Sequence, residues 1–179
     1  MDIIQLFVEN AKVPNPPTDT GFTPLHMAAR VGHLEIFKMI FDCVLDKNPK
    51  DCEGFTPLHM AATVGHLEIF KMIFDCVFDK NPKNFEGVTP LHFAAEYGHP
   101  EICRLVIHEV TDKNPRNKFG KTPLYYAALN SSQGCHEVYK LISNYVGNEG
   151  IPLQESFEQK SFREFICIFI VLFLQPRSG

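Results

Sequence analysis

Apolar residues recur along most of this chain at the spacing of short amphipathic helices. Leu25, Ala28 and Ala29 fall at positions i, i+3 and i+4, so they share one side of a helix. Residues 34–41 form a second such stretch, with isoleucine and phenylalanine on one side and charged residues on the other. The pattern predicts pairs of helices that stabilise one another by stacking, because helices this short are marginal alone in water.

The first helix of each pair coincides with a phrase, Thr-Pro-Leu-His-x-Ala-Ala or its tyrosine variant, that occurs four times. It starts at Thr23, Thr56, Thr89 and Thr122, so successive copies are 33 residues apart. Threonine is a good N-cap, and proline suits the first helical position because its missing N–H is not needed there. Gly32 can end the first helix in the left-handed conformation. The fixed period indicates an array of stacked repeats.

The period also predicts how the chain is divided. The predicted segments are an N-terminal half repeat with a capping helix (1–17), repeat one (18–50), repeat two (51–83), repeat three (84–116), repeat four (117–149) and a C-terminal apolar tail (150–179). Repeats one and two are almost copies of each other, which indicates a core that is held constant. From Gly21 and Gly54 onward, they differ over one period only at the pairs Arg30/Thr63, Leu45/Phe78, Asp51/Asn84 and Cys52/Phe85.

The repeated phrase and its period resemble those of the ankyrin-repeat family. The resemblance covers about residues 18–146. It implies an all-α solenoid of stacked helix-turn-helix units joined by β-turn or hairpin loops. It also implies that the threonine and histidine of the phrase, such as Thr23 and His26, hydrogen-bond within the turn, and that Asn48 and its equivalents match the family's loop asparagine.

The chain departs from the family pattern at three places. In repeat four Tyr125 replaces the histidine, which puts that hydrogen bond in doubt there. Val44 follows the second helix where the family usually has glycine, and a β-branched residue tolerates the left-handed conformation badly, so the helix is predicted to end a turn later. Repeat four has three extra residues in the segment 130–134, and its second helix is predicted to resume at Cys135.

Charge and motif content exclude several kinds of function. A formal net charge of −4 gives no basic field for nucleic acid. No phosphate-binding loop, nucleophile elbow, metalloprotease helix or kinase signature occurs in the sequence. The histidines recur in rows along the stack, at a helix diameter of about 10 Å, which is too wide for a shared zinc ion. The chain is predicted to be no enzyme, with no cofactor, no metal site and no nucleic-acid partner.

The six cysteines show neither a paired spacing nor the spacing of a zinc site. They are predicted to be reduced, to take burial-type positions as small apolar residues, and to be dispensable for function. The N-terminal residues have no basic region followed by an unbroken apolar run, so a secretory signal is not supported. These features predict an intracellular protein of a reducing compartment, the cytoplasm or the nucleus.

The segment 165–174 is apolar and uncharged. It is too short to span a bilayer as a helix, which needs roughly 20 residues. We expect it to cover the exposed apolar end of the array. An interfacial membrane anchor and a non-native terminus are the open alternatives.

The ankyrin resemblance implies a non-catalytic scaffold that binds a partner protein along its concave face, and we expect a monomer. Hairpin tips and first helices would form this face. The predicted contact residues of the tips are Phe22, Cys52, Glu53, Phe55, Phe85, Glu86, Val88, Phe119 and Lys121. Those of the first helices are Arg30, Val31, Thr63, Val64, Glu96 and Tyr97.

Two questions stay open at the level of sequence. Phe55 and Tyr97 are predicted to be central to binding, but Phe22 and Phe55 could instead pack between adjacent tips. A second hypothesis for the whole chain is a cytosolic spacer or regulatory fragment of a longer, membrane-anchored protein. The half repeat at residues 1–17 and the apolar tail motivate it.

Overall fold

The structure is a computed structural model that describes residues 15–146. The predicted N-terminal capping helix and the apolar tail with its 165–174 run lie outside the described residues. Within the described part, no helix combines the length and the apolar character that crossing a membrane requires.

Residues 15–146 form eight α-helices and contain no strand, which confirms the predicted all-α class. The helices are numbered in chain order, so the first helix of each repeat has an odd number and the second has an even number. The helices are α1 (Pro24–Val31), α2 (Leu34–Cys43), α3 (Pro57–Val64), α4 (Leu67–Cys76), α5 (Pro90–Tyr97), α6 (Pro100–Glu109), α7 (Pro123–Leu129) and α8 (Gln133–Val146).

The odd-numbered helices form the more closely packed layer of the array. Helix α3 packs against α1 on one side and α5 on the other, whereas the even-numbered helices touch one another more sparsely. Alanines such as Ala61 and Ala62 are fully buried, and their small side chains let neighbouring helices approach closely. Leu58, in the same helix, and Phe70, in the even-numbered helix behind it, are also fully buried and supply much of the core between repeats.

The odd-numbered helices begin as the sequence predicts. Thr56 precedes α3 in the extended conformation, and Pro57 takes the first helical position. At the other end of the first such helix, Gly32 adopts a φ of 83°, and its N–H group donates to the carbonyl oxygen of Ala28 at 3.0 Å. The left-handed glycine therefore satisfies one of the carbonyl groups that a helix end leaves unpaired.

Repeat four ends its first helix differently. Asn130 follows α7 with a φ of −109°, which is extended and not left-handed. Ser132 then caps the next helix, because its Oγ accepts from the N–H group of Cys135 at 3.2 Å. This cap starts α8 at Gln133, so the prediction that the helix resumes at Cys135 is wrong by two residues.

Helices α2, α4 and α6 end without a left-handed residue. Val44 is extended, with φ −104° and ψ 148°, and α2 stops at Cys43. The prediction that this helix continues for another turn is wrong. Lys47 explains the early end, because its ammonium group donates to the carbonyl oxygen of Phe41 and lies 4.5 Å from the centre of the Phe41 ring.

The cysteines divide into two groups, which corrects the prediction that all occupy burial-type positions. Cys103 and Cys135 are buried, whereas Cys43, Cys52 and Cys76 are exposed. Cys43 and Cys76 are the last residues of α2 and α4, so no further helical turn covers them. All five described cysteines are free thiols. Burial raises the pKa of the Cys103 thiol, which makes it a poor nucleophile.

Candidate protein-interaction surface

In repeats two to four, the polar side chain of the repeat's first residue fixes the turn that precedes the odd-numbered helix. Asp51 Oδ1 accepts from the N–H groups of Glu53 and Phe55, at 2.9 and 2.8 Å. The N–H group of Asp51 donates to the Phe55 carbonyl oxygen at 2.9 Å and closes the turn. Asn84 and Asn117 make the same contacts in the next two repeats. The hairpins therefore hold their outermost side chains in fixed positions.

Neighbouring hairpins are joined through the backbone. At each junction, the N–H group of one tip donates to a carbonyl oxygen of the preceding tip. The pairs are Cys52 with Thr20 at 2.8 Å, Phe85 with Glu53 at 2.9 Å and Lys118 with Glu86 at 2.9 Å. The tips thus form one continuous edge beside the odd-numbered helices, and we call the two together the inner surface.

The threonine–histidine pairs connect each odd-numbered helix to the hairpin of the next repeat. The N–H group of Thr56 donates to His59 Nδ1 at 3.1 Å. Because that nitrogen accepts, the proton of a neutral ring lies on Nε2, which donates to the Val88 carbonyl oxygen at 3.2 Å. Burial lowers the pKa of His59 to about 4, which keeps the ring neutral at physiological pH. The pairs predicted from the resemblance are present in repeats one to three.

In repeat four the histidine contact is absent. Thr122 Oγ1 accepts from the N–H group of Tyr125 at 3.2 Å, so the cap itself remains. The tyrosine side chain is exposed and adds no ring-nitrogen contact. Across residues 15–146, no group of three or more His, Cys, Asp or Glu side chains is arranged to hold a metal ion.

Most of the predicted contact residues lie at the molecular surface. Ten are exposed: Arg30, Val31, Cys52, Glu53, Val64, Phe85, Glu86, Tyr97, Phe119 and Lys121. Four are half-buried: Phe22, Phe55, Thr63 and Glu96. Burial of the Glu96 carboxyl raises its pKa, and the nearby charge of Lys121 opposes this shift. These residues come from the tips and from the odd-numbered helices, so the inner surface brings them together.

Val88 does not belong among the contact residues. Its side chain is only 8% exposed. Its N–H group donates to Asn84 Oδ1 at 2.8 Å, and its carbonyl oxygen accepts from His59. Val88 therefore holds the hairpin onto the preceding repeat and is not available to a partner.

The half-buried aromatic residues of the tips have packing roles within the array. The Phe55 ring centre lies 5.7 Å from that of His59 and 6.0 Å from that of Phe93 in the next repeat. Phe22 lies 4.9 Å from His26. The packing alternative for Phe22 and Phe55 thus has direct support, and Phe55 is poorly placed to be the centre of an interface.

The sequence prediction missed exposed apolar residues on the same helices. Leu129 is exposed and takes the place in α7 that Arg30, Thr63 and Glu96 take in the earlier repeats. Met27, one residue after the buried histidine of α1, is also exposed. The 33-residue register does place Leu129 at this position, but the three extra residues in the segment 130–134 interrupt the pattern directly after it.

In the second row of histidines, His33, His66 and His99, one ring links its helix to the preceding repeat. His99 Nε2 lies 3.1 Å from the carbonyl oxygen of Thr63, to which it donates when protonated. In repeat four Cys135 replaces this histidine, and its Sγ contacts the equivalent carbonyl oxygen, that of Glu96, at 3.2 Å. His99 and Cys135 therefore tie α6 and α8 to the preceding repeat, whereas the Nε2 atom of His66 is buried and makes no hydrogen bond within the described part of the chain.

Together, stacked helix pairs and a hydrogen-bonded row of hairpins define a helical repeat solenoid with an exposed inner surface. A family model for ankyrin repeats (3 copies) matches residues 1–84 and 76–150. The chain belongs to the ankyrin-repeat family, whose members are generally protein–protein interaction modules and typically non-catalytic. No curated protein sequence matches the chain.

Proposed function

We propose that this protein binds a partner protein along the inner surface and acts as a non-catalytic interaction module. The family provides the general role. The specific use of the inner surface is supported by the side chains that it exposes.

A column of apolar side chains on the inner surface carries the proposal. Val31, Val64 and Tyr97 occupy equivalent positions at the ends of α1, α3 and α5 and are 50%, 45% and 51% exposed. Phe85 and Phe119 at the hairpin tips are 58% and 66% exposed. Isolated apolar residues are normal on a surface, but a repeated series of them is typical of a binding site.

The differences between successive copies of the period support the same surface. Between the copies that start at Gly21 and at Gly54 the buried apolar residues are identical, and two of the four differing pairs, Arg30/Thr63 and Cys52/Phe85, have exposed or half-buried side chains on the inner surface. Phe85 stands at the position equivalent to Cys52 and adds an exposed aromatic ring there without altering the fold. Variation of this kind changes what a surface binds while the array stays intact.

The experiment compares two double variants with the wild type. The inner-surface variant is Tyr97→Ser with Phe85→Ser. The matched control, Lys38→Ser with Lys71→Ser, changes side chains on α2 and α4 that are 44% and 43% exposed. Partners retained by the wild type from an extract of the source cells are identified, and the affinity of each purified partner is then measured by calorimetry.

We expect the inner-surface variant to weaken binding by about thirtyfold if one of the two rings is central and by more if both are, because a central aromatic residue often contributes about 2 kcal/mol. The control is expected to bind as the wild type does, since exposed charges contribute little. If the lysine changes weakened binding and the aromatic changes did not, the inner surface would be the wrong site. Circular dichroism of both variants checks that the fold is retained.

We further propose that the protein works in a reducing intracellular compartment. The exposed thiols of Cys43, Cys52 and Cys76 support this, because exposed thiols are readily oxidised outside such compartments. Alkylation of the protein in freshly lysed source cells, followed by mass spectrometry, tests the proposal. Disulfide-linked Cys43 or Cys76 in that material would contradict it.

A further inference from the structure

Two apolar side chains are fully exposed in the turns that follow even-numbered helices. Leu45 and Phe78 follow α2 and α4 at equivalent positions and are 101% and 102% exposed. They lie in ordered turns, not at frayed ends. Asp46 Oδ1 accepts from the Asn48 N–H group at 3.0 Å, and Asp79 repeats this contact with Asn81. The turns thus hold Leu45 and Phe78 outwards in solvent.

Negative charge surrounds these two side chains. The exposed carboxylates at the ends of the even-numbered helices and in the turns after them are those of Asp42, Asp46, Asp75, Asp79, Glu109 and Asp112. The lysines of the same turns, Lys47, Lys80 and Lys113, offset only part of this charge, because three ammonium groups stand against six carboxylates. Lys47 and Lys80 point back to carbonyl oxygens at the ends of α2 and α4 and lie over the rings of Phe41 and Phe74. We call Leu45, Phe78 and the six carboxylates the acidic outer edge.

A cavity adjoins the acidic outer edge between α4 and α6. It has a volume of about 430 Å³, and Phe74 and Leu105 form apolar parts of its wall. Asp75 and Glu109, which belong to the acidic outer edge, line it together with Lys71, Lys80 and His108. The cavity therefore offers space for an apolar side chain of a partner, but its wall carries side chains of both charge types.

The edge is duplicated because the helices that support it are duplicated. Helices α2 and α4 have the same ten-residue sequence, with the same N-cap and the same extended valine at the C-cap. Packed helices lie about 8–10 Å apart. We therefore expect Leu45 and Phe78 to lie about 8–10 Å apart. A segment that binds both must present two apolar residues at that spacing.

Chain geometry decides which kind of segment fits this spacing. In a helix, residues i and i+7 lie on the same face, about 10 Å apart along the axis. In an extended chain, residues three apart span about 10 Å but point to opposite sides. A helix with apolar residues at i and i+7 therefore contacts Leu45 and Phe78 together.

We propose that the acidic outer edge is a second docking surface, which binds a basic amphipathic helix of a partner protein. Lysine or arginine side chains of that helix would face the six carboxylates, and its apolar stripe would cover Leu45 and Phe78. The proposal is independent of the inner surface, because the two sites share no residue.

The probe is a synthetic amphipathic peptide of leucine and lysine, about four helical turns long, with a leucine–glutamate peptide of the same pattern as its counterpart. Binding to the full chain is followed by fluorescence anisotropy at low and high salt. We expect the lysine peptide to bind and to bind more weakly at high salt, because exposed charges are screened. We expect the glutamate peptide not to bind.

Three variants locate the site. Leu45→Ser with Phe78→Ser is expected to weaken binding of the lysine peptide by about tenfold or more. Asp42→Asn with Asp75→Asn is expected to weaken it and to reduce its salt dependence. The matched control is Val31→Ser with Val64→Ser, which removes exposed apolar side chains from the inner surface and is expected to leave peptide binding unchanged.

Several outcomes would overturn the proposal. They are equal binding of the two peptides, no binding of the lysine peptide, and loss of binding in the inner-surface control alone. Sedimentation of the wild type as a dimer that Leu45→Ser with Phe78→Ser dissociates would identify a second copy of this chain as the occupant instead.

Discussion

His59 Nε2 donates to the carbonyl oxygen of Val88 at 3.2 Å, across the boundary between repeats two and three. The same ring accepts the N–H group of Thr56 on Nδ1. One neutral imidazole thus closes the cap of its own helix and holds the hairpin of the next repeat. A second proton on the ring would fall on Nδ1 and remove the acceptor that the cap needs.

The first prediction is that the array loses stability in mild acid. Burial lowers the pKa of both His59 and His92 to about 4, below the ordinary value of 6.5. Between these values the unfolded chain binds protons that the folded chain does not, so stability falls as the pH falls from 6.5 towards 4. At pH 5 the loss is about 2 kcal/mol for each of the two histidines.

Urea unfolding at pH 7 and pH 5 measures this effect. Carboxylates with ordinary pKa values are still largely ionised at pH 5, so the histidines dominate the difference. Substituting His92 by glutamine should reduce the pH dependence, because it removes one of the two buried rings. Equal stability at the two pH values would show that the buried rings accept protons without cost.

The second prediction concerns the stacking of repeats. Leu58 is fully buried in α3, between α1 and α5, so Leu58→Ala should destabilise the array by about 2–5 kcal/mol. The effect should reach neighbouring repeats, because each is stabilised by its interfaces. Leu45→Ala is the same chemical change at a fully exposed site and should leave the thermal midpoint within error. Similar melting of both variants would argue against cooperative stacking.

Local signals in the sequence predicted the helix starts and the hairpins well. Threonine and proline act within one turn. The loop asparagine was predicted through the family resemblance, and Asn48 Oδ1 accepts from the N–H group of Leu58, in the next repeat, at 3.0 Å. Contacts made by long side chains were not predictable in this way. Lys47 ends α2 by reaching back six residues to a carbonyl oxygen, and no periodic pattern indicates such a contact.

The predicted contact residues rest on the family resemblance, and whether a partner binds them stays a prediction. The register between repeats assigned these positions to hairpin tips and odd-numbered helices. It could not indicate that Val88 is covered by its neighbours or that Phe55 packs on Phe93, because those contacts depend on how one repeat sits on the next. Burial of one tip residue and exposure of another are properties of the stack.

The third prediction separates the thiols by reactivity. In native protein near pH 8, iodoacetamide should modify Cys43, Cys52 and Cys76 quickly, because they are exposed. Cys103 should react only after unfolding, since burial both shields its thiol and raises its pKa. Mass spectrometry of peptides labelled with and without urea gives the comparison. Rapid native labelling of Cys103 would mean that the space between α6 and its neighbours opens readily.

The fourth prediction uses two glycines with similar backbones and different surroundings. Gly65 ends α3 at a φ of 85°, and a Cβ atom there would lie 2.5 Å from Nδ1 of His99. Gly120 has a φ of 73°, but nothing lies within 4 Å of its Cβ position. Gly120→Ala should therefore cost only the strain of a left-handed residue, about 1–2 kcal/mol.

Gly65→Ala should cost more than Gly120→Ala, because it also pushes away the ring that contacts the Thr63 carbonyl oxygen. Adding His99→Ala to each alanine variant isolates the clash. The combination should be less destabilising than the sum of the single changes at Gly65 and additive at Gly120, since only the first pair is in contact. Free energies of unfolding from urea titrations of the six proteins, including wild type, complete both cycles. Additivity at both glycines would mean that the His99 ring does not hinder a side chain at position 65.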